Sequence, residues 1–595
     1  MTRSELASKG ISRPDVILVT GDAYIDSPYS GIAIIGRVLE SAGYSVAVIA
    51  QPDISRPEDI AALGEPRLFW GVSSGCVDSE IANYTALGKP RRTCDFTPGG
   101  MNSKRPDRAC IVYANLIRRH FKNTVPVVLG GIEASLRRIA HYDRRTDRIR
   151  RSILPDSKAD ILVYGMGEFS VLEIAQRLRQ GMGLDHIPGT CIMSSSAPDK
   201  YVRLPDYAQA ADNPRLFTSM FELFYRNSQG PAGKGLVQKY ESRYLIHHPP
   251  NRLPGRNELD GFYELPFTNE VHPQCASQGK VRAMETIQNS ITTHRGCYGE
   301  CSFCSIAVHQ GRSVVSRSLD SIVREARRLA ANPGFSGVIR DAGGPTANMY
   351  GSGCKRLSLG NPCQDRHCTG FNGVCEKLVQ GHGKQKRLLD KLKAVPGVNK
   401  VQIASGIRFD LILSDQRHGM GYLEQVIGNH TAGQMKIAPE HCSDHVLQMM
   451  NKPGSSLLKE FAGLYRRVAA ELKKNVYLSC YAIAAHPGCR IEDMRSFLRF
   501  SRSNLRFSPE QVQIFTPGPS TRSTAMYCTG IDPFTGLKIW SEKSIKGKQQ
   551  QKDIMHHRPS EKAGIAKSGH KRSDRKVHTA KDHQVNRKKR SKGNN

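Results

Sequence analysis

The sequence predicts an α/β protein: an open, Rossmann-like sheet domain, then a (β/α)6 partial TIM barrel, then a basic and largely disordered C-terminal tail. Three observations carry that expectation. Short β-branched runs alternate with amphipathic stretches from residue 15 to about 180. The same alternation restarts near residue 284 and repeats six times. Beyond residue 541, 17 Lys and Arg stand against 5 acidic residues, with almost no apolar side chains among them.

Asp15–Thr20, Tyr44–Ala50, Leu68–Ser74, Thr124–Leu129 and Asp160–Tyr164 read as strands, with a helix over Gly31–Gly43. Their continuous apolar character predicts a parallel sheet covered on both faces. Ligands of such sheets sit beyond the strands' carboxyl ends. Three small-residue turns fall there: Gly21–Ser30, Gly130–Ser135 and Gly165–Glu168. Residues 10–180 are thus assigned to the sheet domain, 181–283 to a connecting region, 284–540 to the barrel with a Cys-rich insert at 345–383, and 541–595 to the tail. Barrel strands are predicted at Met284–Thr293, Gly337–Asp341, Lys400–Ser405, Gln434–Ala438, Val476–Ala485 and Gln511–Phe515.

A chain of 595 residues exceeds a single core. It contains no apolar run of the roughly 18–20 residues that a membrane span needs, and its N-terminus lacks the apolar segment of a secretory signal. A cytoplasmic protein with no membrane partner is expected. In that reducing compartment, 16 cysteines point to metal or redox chemistry rather than disulfides. The net charge of +32 suits contact with nucleic acid, but so much of it lies in the tail that a solubilising extension explains it equally well.

The chemistry centres on His294-Arg-Gly-Cys297-Tyr-Gly-Glu-Cys301-Ser-Phe303-Cys304, directly after the first barrel strand. Three thiolates at Cys-x3-Cys-x2-Cys spacing can hold three irons of a cubane cluster. Gly296 and Gly299 are expected to give the loop positive φ angles. With no fourth cysteine nearby, one iron keeps an open coordination position. The competing reading is a structural zinc site closed by His294.

The spacing is the signature of the radical S-adenosylmethionine (SAM) superfamily, which the loop resembles. That resemblance implies a [4Fe–4S] cluster on Cys297, Cys301 and Cys304, with SAM chelating the free iron. It also implies one-electron cleavage of SAM to methionine and a 5′-deoxyadenosyl radical. Phe303 matches the aromatic residue along the adenine. Gly343 and Gly344 match the turn that binds the SAM amino group, with Pro345 where the family has Glu. By position Ser405, Arg408 and Glu440 match SAM ribose and carboxylate contacts; each reads equally well as a cap, turn or surface residue.

A second group, Cys354, Cys363, Cys368 and Cys375, lies in a Gly-, Asn- and Pro-containing loop poor in apolar residues. Four soft ligands there could fold it around a second Fe–S cluster or zinc. The remaining cysteines read as small buried hydrophobes. The sheet domain resembles the cobalamin-binding domains in front of many radical enzymes. The Asp-x-His-x-x-Gly motif of one branch is absent from that domain, and bound cobalamin is not expected.

Taken together, the chain is similar to the YgiQ-type radical SAM proteins. Matching stretches include Tyr29-Ser-Gly-Ile-Ala-Ile-Ile-Gly36, Cys94-Asp-Phe-Thr-Pro-Gly-Gly100, Pro126–Ser135 and Thr524–Gly536. The resemblance implies an enzyme served by an electron donor such as flavodoxin or ferredoxin, and carries no substrate. The alternative is a metal-stabilised RNA-binding protein that does not cleave SAM. Against it stands the absence of an aromatic sheet array or an RRM- or KH-like signature.

Overall fold

The structure is a computed structural model and describes residues 1–228, 230, 232–360, 363, 367–507, 509 and 511–556. The first strand, β1 (Val16–Thr20), lies between β2 (Val46–Ala50) and β3 (Phe69–Ser73), all parallel. The sheet continues through β4 (Val127–Leu129) and β5 (Ile161–Val163), also parallel. Side chains alternate between two cores. Ile17, Val19, Trp70 and Leu129 meet the helix Ala109–His120 on one face. Val16, Leu18, Phe69 and Val163 meet the helices Gly31–Ser41 and Glu168–Arg179 on the other. The doubly covered parallel sheet is as expected.

The sheet does not end near residue 180. Four further strands, β6 (Thr190–Ser194), β7 (Val202–Arg203), β8 (Leu236–Tyr240) and β9 (Arg243–His247), extend it to nine in the order β7-β8-β9-β6-β5-β4-β3-β1-β2. Thus 181–283 is not merely a connection. These strands join largely antiparallel and carry polar residues such as Gln238 and Lys239, so they lack the continuous apolar run of the parallel ones.

The barrel strands are parallel, and the first of them are short. Met284–Ile287 is helical, and only β10 (Ser290–Thr292) of the predicted first strand pairs. It runs beside β12 (Asp341–Gly343), which follows β11 (Val338–Ile339); β11 pairs with β13 (Lys400–Val401). A bridge from Ile407 to Ile437 leads to β14 (Gln434–Glu440), β15 (Tyr477–Ala484) and β16 (Gln511–Ile514). Ile291, Ile339, Val401, Ile437 and Cys480 fill the interior side of one core with Leu388 and Phe461 from the covering helices.

The tail assignment needs correction at its start. Ile545–His556 is a helix, with Met555 buried beside Val512 and Phe497. Its Gln551 accepts from the Ala485 amide at 2.9 Å and donates to Cys489 O at 3.2 Å. Its polar composition hid it, because its buried residues are Lys548, whose Nζ donates to Tyr527 Oη at 2.9 Å, Gln551 and Met555. Residues 557–595 lie outside the described residues. Among those described, no helix is long and apolar enough to cross a membrane.

Candidate active site

The first barrel strand ends at Thr292; His294–Arg295 then pairs antiparallel with Val315–Ser316, and the cysteine loop follows. Gly296 has φ +78°, and a Cβ there would sit 1.9 Å from Ser313 O, so only glycine fits. Gly299 is required for a different reason than expected. Its φ is ordinary, but a Cβ would lie 2.8 Å from Arg408 Nη1, 3.2 Å from Cys297 Sγ and 3.8 Å from Cys301 Sγ. The positive φ in this turn belongs to Glu300, at +42°.

The loop is held from several sides. Asn451 Nδ2 donates to Gly299 O, Glu300 O and Thr369 O at 3.2–3.3 Å. The Glu300 carboxylate accepts from Tyr225 Oη at 2.5 Å, with His367 Nδ1 at 3.2 Å and Arg312 at 3.5 Å. Burial favours a neutral Glu300, but His367 and Arg312 outweigh it and hold its pKa below the usual value. Asn451 and Tyr225 are far away in sequence, and nothing local marked them.

The thiols sit among donors. Thr346 Oγ1 and the Gly299 amide are each 3.3 Å from Cys297 Sγ. Cys304 caps the helix Ser305–Gln310, and the Ile306 and Ala307 amides face its sulfur. Burial and the other two cysteines push the Cys304 thiol up to about 12, and burial with Cys301 raises Cys297. Protonated thiols are therefore favoured until a positive centre offsets their charge. Arg408, paired with Asp410 at 2.7 Å, puts its guanidinium beside Cys297 and Cys301. Three thiols, three amides, a hydroxyl and a guanidinium suit a thiolate-ligated iron cluster. Among the described residues, no three His, Cys, Asp or Glu side chains gather as ligands of one ion. The His294 ring instead packs under Gly344, its Nδ1 2.9 Å from Thr293 Oγ1.

A cavity of about 440 Å³ lies between the carboxyl ends of the sheet strands and the barrel mouth. All three small-residue turns reach it, through Tyr29, Gly130 and Gly167 among others. The barrel contributes Thr292, His294, Gly343, Gly344 and Ser405. Gly343–Gly344 thus faces the cavity while Thr346, two residues on, touches Cys297. Ser405 is fixed by Asp341, which also accepts the Ala404 amide at 2.9 Å. His294 Nε2 is buried without a hydrogen-bond partner, and burial lowers its pKa to about 4.

Other expected residues lie elsewhere. Phe303, Arg408 and Glu440 do not line this cavity. Phe303 meets His486 edge-on at 6.1 Å, with Lys452 Nζ 5.9 Å from its ring. Glu440 is buried, has φ +68° and faces Lys452 at 3.7 Å; burial raises its pKa and Lys452 partly offsets this. Cys301 and Cys304 border a smaller void of about 30 Å³ with Tyr225 and Arg312. Two residues at the interface were not anticipated. Buried Arg295 pairs with Glu168, and His309, lining the cavity, is hydrogen-bonded to Ser135 at 2.9 Å.

Comparison with known proteins places this geometry. The family model described as "Radical SAM N-terminal" matches residues 1–290. A UPF0313 protein of Fusobacterium nucleatum is 49% identical over 93% of this chain and 98% of its own length. One from Thermotoga maritima is 45% identical over 93% and 97%. Among solved structures, the radical SAM methyltransferase TsrM from Kitasatospora setae, with tryptophan and a SAM analogue bound, gives a TM-score of 0.49 at 15% identity, covering 85% of this chain and 74% of that one. The cobalamin-dependent SAM radical enzyme OxsB, with aqua-cobalamin bound, gives 0.48 at 11%, covering 82% and 52%. The near-complete match to relatives at almost half identity settles the kinship: the chain belongs to the UPF0313 family.

Proposed function

We propose that Cys297, Cys301 and Cys304 hold a [4Fe–4S] cluster at which SAM is reductively cleaved, and that the reaction's substrate enters the cavity between sheet domain and barrel. The observation that carries the reading is the adjacency of the three-thiol loop, through Thr346, to a Gly-Gly turn opening on that cavity. When bound, the cluster and SAM supply one-electron cleavage of the sulfonium bond and a 5′-deoxyadenosyl radical. The chain's own residues do the rest. Gly344 offers a backbone carbonyl to an ammonium group, Gly343 O being taken by the Thr293 amide and hydroxyl, and Ser405, oriented by Asp341, offers a hydroxyl. Neutral His294, fully buried, packs under Gly344 and supports the turn from below. The Glu168–Arg295 pair and the His309–Ser135 bond close the wall and keep water out.

Arg408 offsets the charge of the thiols, while Phe303 and Glu440 share Lys452. The reading needs a one-electron donor of the flavodoxin or ferredoxin kind. It assigns the cavity to substrate rather than cobalamin, since no Asp-x-His-x-x-Gly histidine lies in the sheet domain; the match Asp365-Arg-His367-Cys-Thr-Gly370 falls in the Cys-rich insert. The test is anaerobic reconstitution with iron and sulfide, electron paramagnetic resonance with and without SAM, and a 5′-deoxyadenosine assay under strong reductant. A SAM-sensitive signal and product are expected, both lost in Cys301→Ala. Reconstituted protein that never cleaves SAM would overturn the reading, and corrin absorbance retained after desalting with cobalamin would reassign the cavity.

A further inference from the structure

A second gathering of thiols lies against the cysteine loop, and the SAM chemistry makes no use of it. Cys354 pairs with Leu378 across the two-stranded ladder Gly353–Cys354 and Leu378–Val379. The chain between them doubles back: the Cys375 amide donates to Cys368 O at 2.9 Å, and the Leu378 amide to Cys375 O at 2.9 Å. These bonds bring Cys354, Cys368 and Cys375 to one end of the insert. Burial and Glu300 raise the Cys368 thiol, and Cys354, Cys375 and Cys363 add to this, so Cys363 too lies within electrostatic range of Cys368.

The stretch from Cys354 to Cys375 builds no apolar core of its own to explain this fold. Among the described residues between Cys354 and Cys375, no hydrophobic side chain is buried, and Leu359 is 83% exposed. A loop of about 22 residues cannot recover its ordering entropy from so little burial. Thiolate–metal bonds supply what is missing. A zinc ion would draw four sulfurs to about 2.3 Å from one point. Among the described residues no such convergence occurs at either cysteine group, whereas a cluster holds its cysteines further apart.

The insert also touches the catalytic loop. Thr369 Oγ1 donates to Tyr298 O at 3.2 Å, His367 is 3.2 Å from Glu300, and Asn451 bridges Thr369 to Gly299. Buried Tyr298 shares its apolar neighbourhood with Cys297, Cys368 and Cys375.

We propose that Cys354, Cys363, Cys368 and Cys375 bind a second iron–sulfur cluster, ligated entirely by protein, which folds the insert against the Cys297 loop. This inference does not depend on SAM cleavage. The full chain would be reconstituted anaerobically as wild type, as Cys363→Ser/Cys368→Ser, and as Cys297→Ala/Cys301→Ala/Cys304→Ala. Iron, sulfide and zinc per chain would be measured, with electron paramagnetic resonance of the reduced protein. Each variant is expected to lose about half the iron. The first keeps a SAM-sensitive signal, and the second keeps one that SAM does not move. Unchanged iron in the first variant, or loss of one zinc per chain instead, overturns the proposal. Should that variant fail to fold, the triple variant decides alone: iron that disappears completely there refutes the second cluster. A wild type with two clusters that never cleaves SAM would sink only the proposed reaction.

Discussion

Glu168 Oε1 lies 2.5 Å from Arg295 Nη1, with both side chains about 95% buried, and this pair pins the sheet domain to the barrel. Arg295 also donates to Tyr263 Oη at 3.0 Å. Arg295→Met would strand a buried carboxylate, with an expected cost of about 3–5 kcal/mol. Adding Glu168→Gln should return part of that loss, because the double variant buries no unpaired charge. Denaturant midpoints of the reconstituted protein measure the cycle; strictly additive losses would contradict a direct pair.

Asn451 is expected to govern how well the cysteine loop keeps its shape. Asn451→Ala leaves carbonyls of Gly299, Glu300 and Thr369 without their shared donor, at about 1–3 kcal/mol for each group left buried and unpaired. The three cysteines remain, so reconstitution should succeed while iron is lost faster to a chelator. An unaltered chelation rate would remove Asn451 from the loop's support.

Gly344 tests the turn. A Cβ there would lie 2.6 Å from His294 Cε1 and 2.7 Å from Nε2, and the fully buried ring has nowhere to go. Gly344→Ala is expected to cut SAM cleavage by roughly tenfold or more, the equivalent of about 1.4 kcal/mol in the barrier, without changing iron content. Wild-type turnover would show that the turn yields.

Acid should destabilise the fold well before its carboxylates titrate. Burial is the leading cause that holds His141 and His248 down to about 4 and His486 to about 3. Unfolded, these imidazoles take up protons near pH 6.5, so the unfolded state binds more of them between pH 6.5 and 4. Stability is therefore complete above about 6.5 and falls as pH drops, by on the order of 2 kcal/mol per fully buried ring at pH 5. A thermal midpoint that stays level from about pH 7.5 to 5 would refute this.

The cysteine loop was legible because its chemistry is written within eight consecutive residues, and the Gly-rich turns because strand ends mark them. What holds that loop was not. Asn451 lies about 150 residues from the Gly299 and Glu300 carbonyls it binds, and Glu300 looks like an ordinary loop acid until Tyr225 and His367 arrive. Gly299 was noticed for the wrong property: it serves by what it lacks in volume, not by its dihedral angle. Strands β6 to β9 escaped because a half-solvated antiparallel edge carries no continuous apolar run.

The short helix leaving Cys304 hands His309 to Ser135, which in turn receives the Gly165 amide at 3.0 Å. Front and rear halves of the polypeptide therefore share one lock. Grafting the amino-terminal half of a distant relative onto this barrel would swap the key without its keyhole, so chimeras should work only when both partners of that contact travel together.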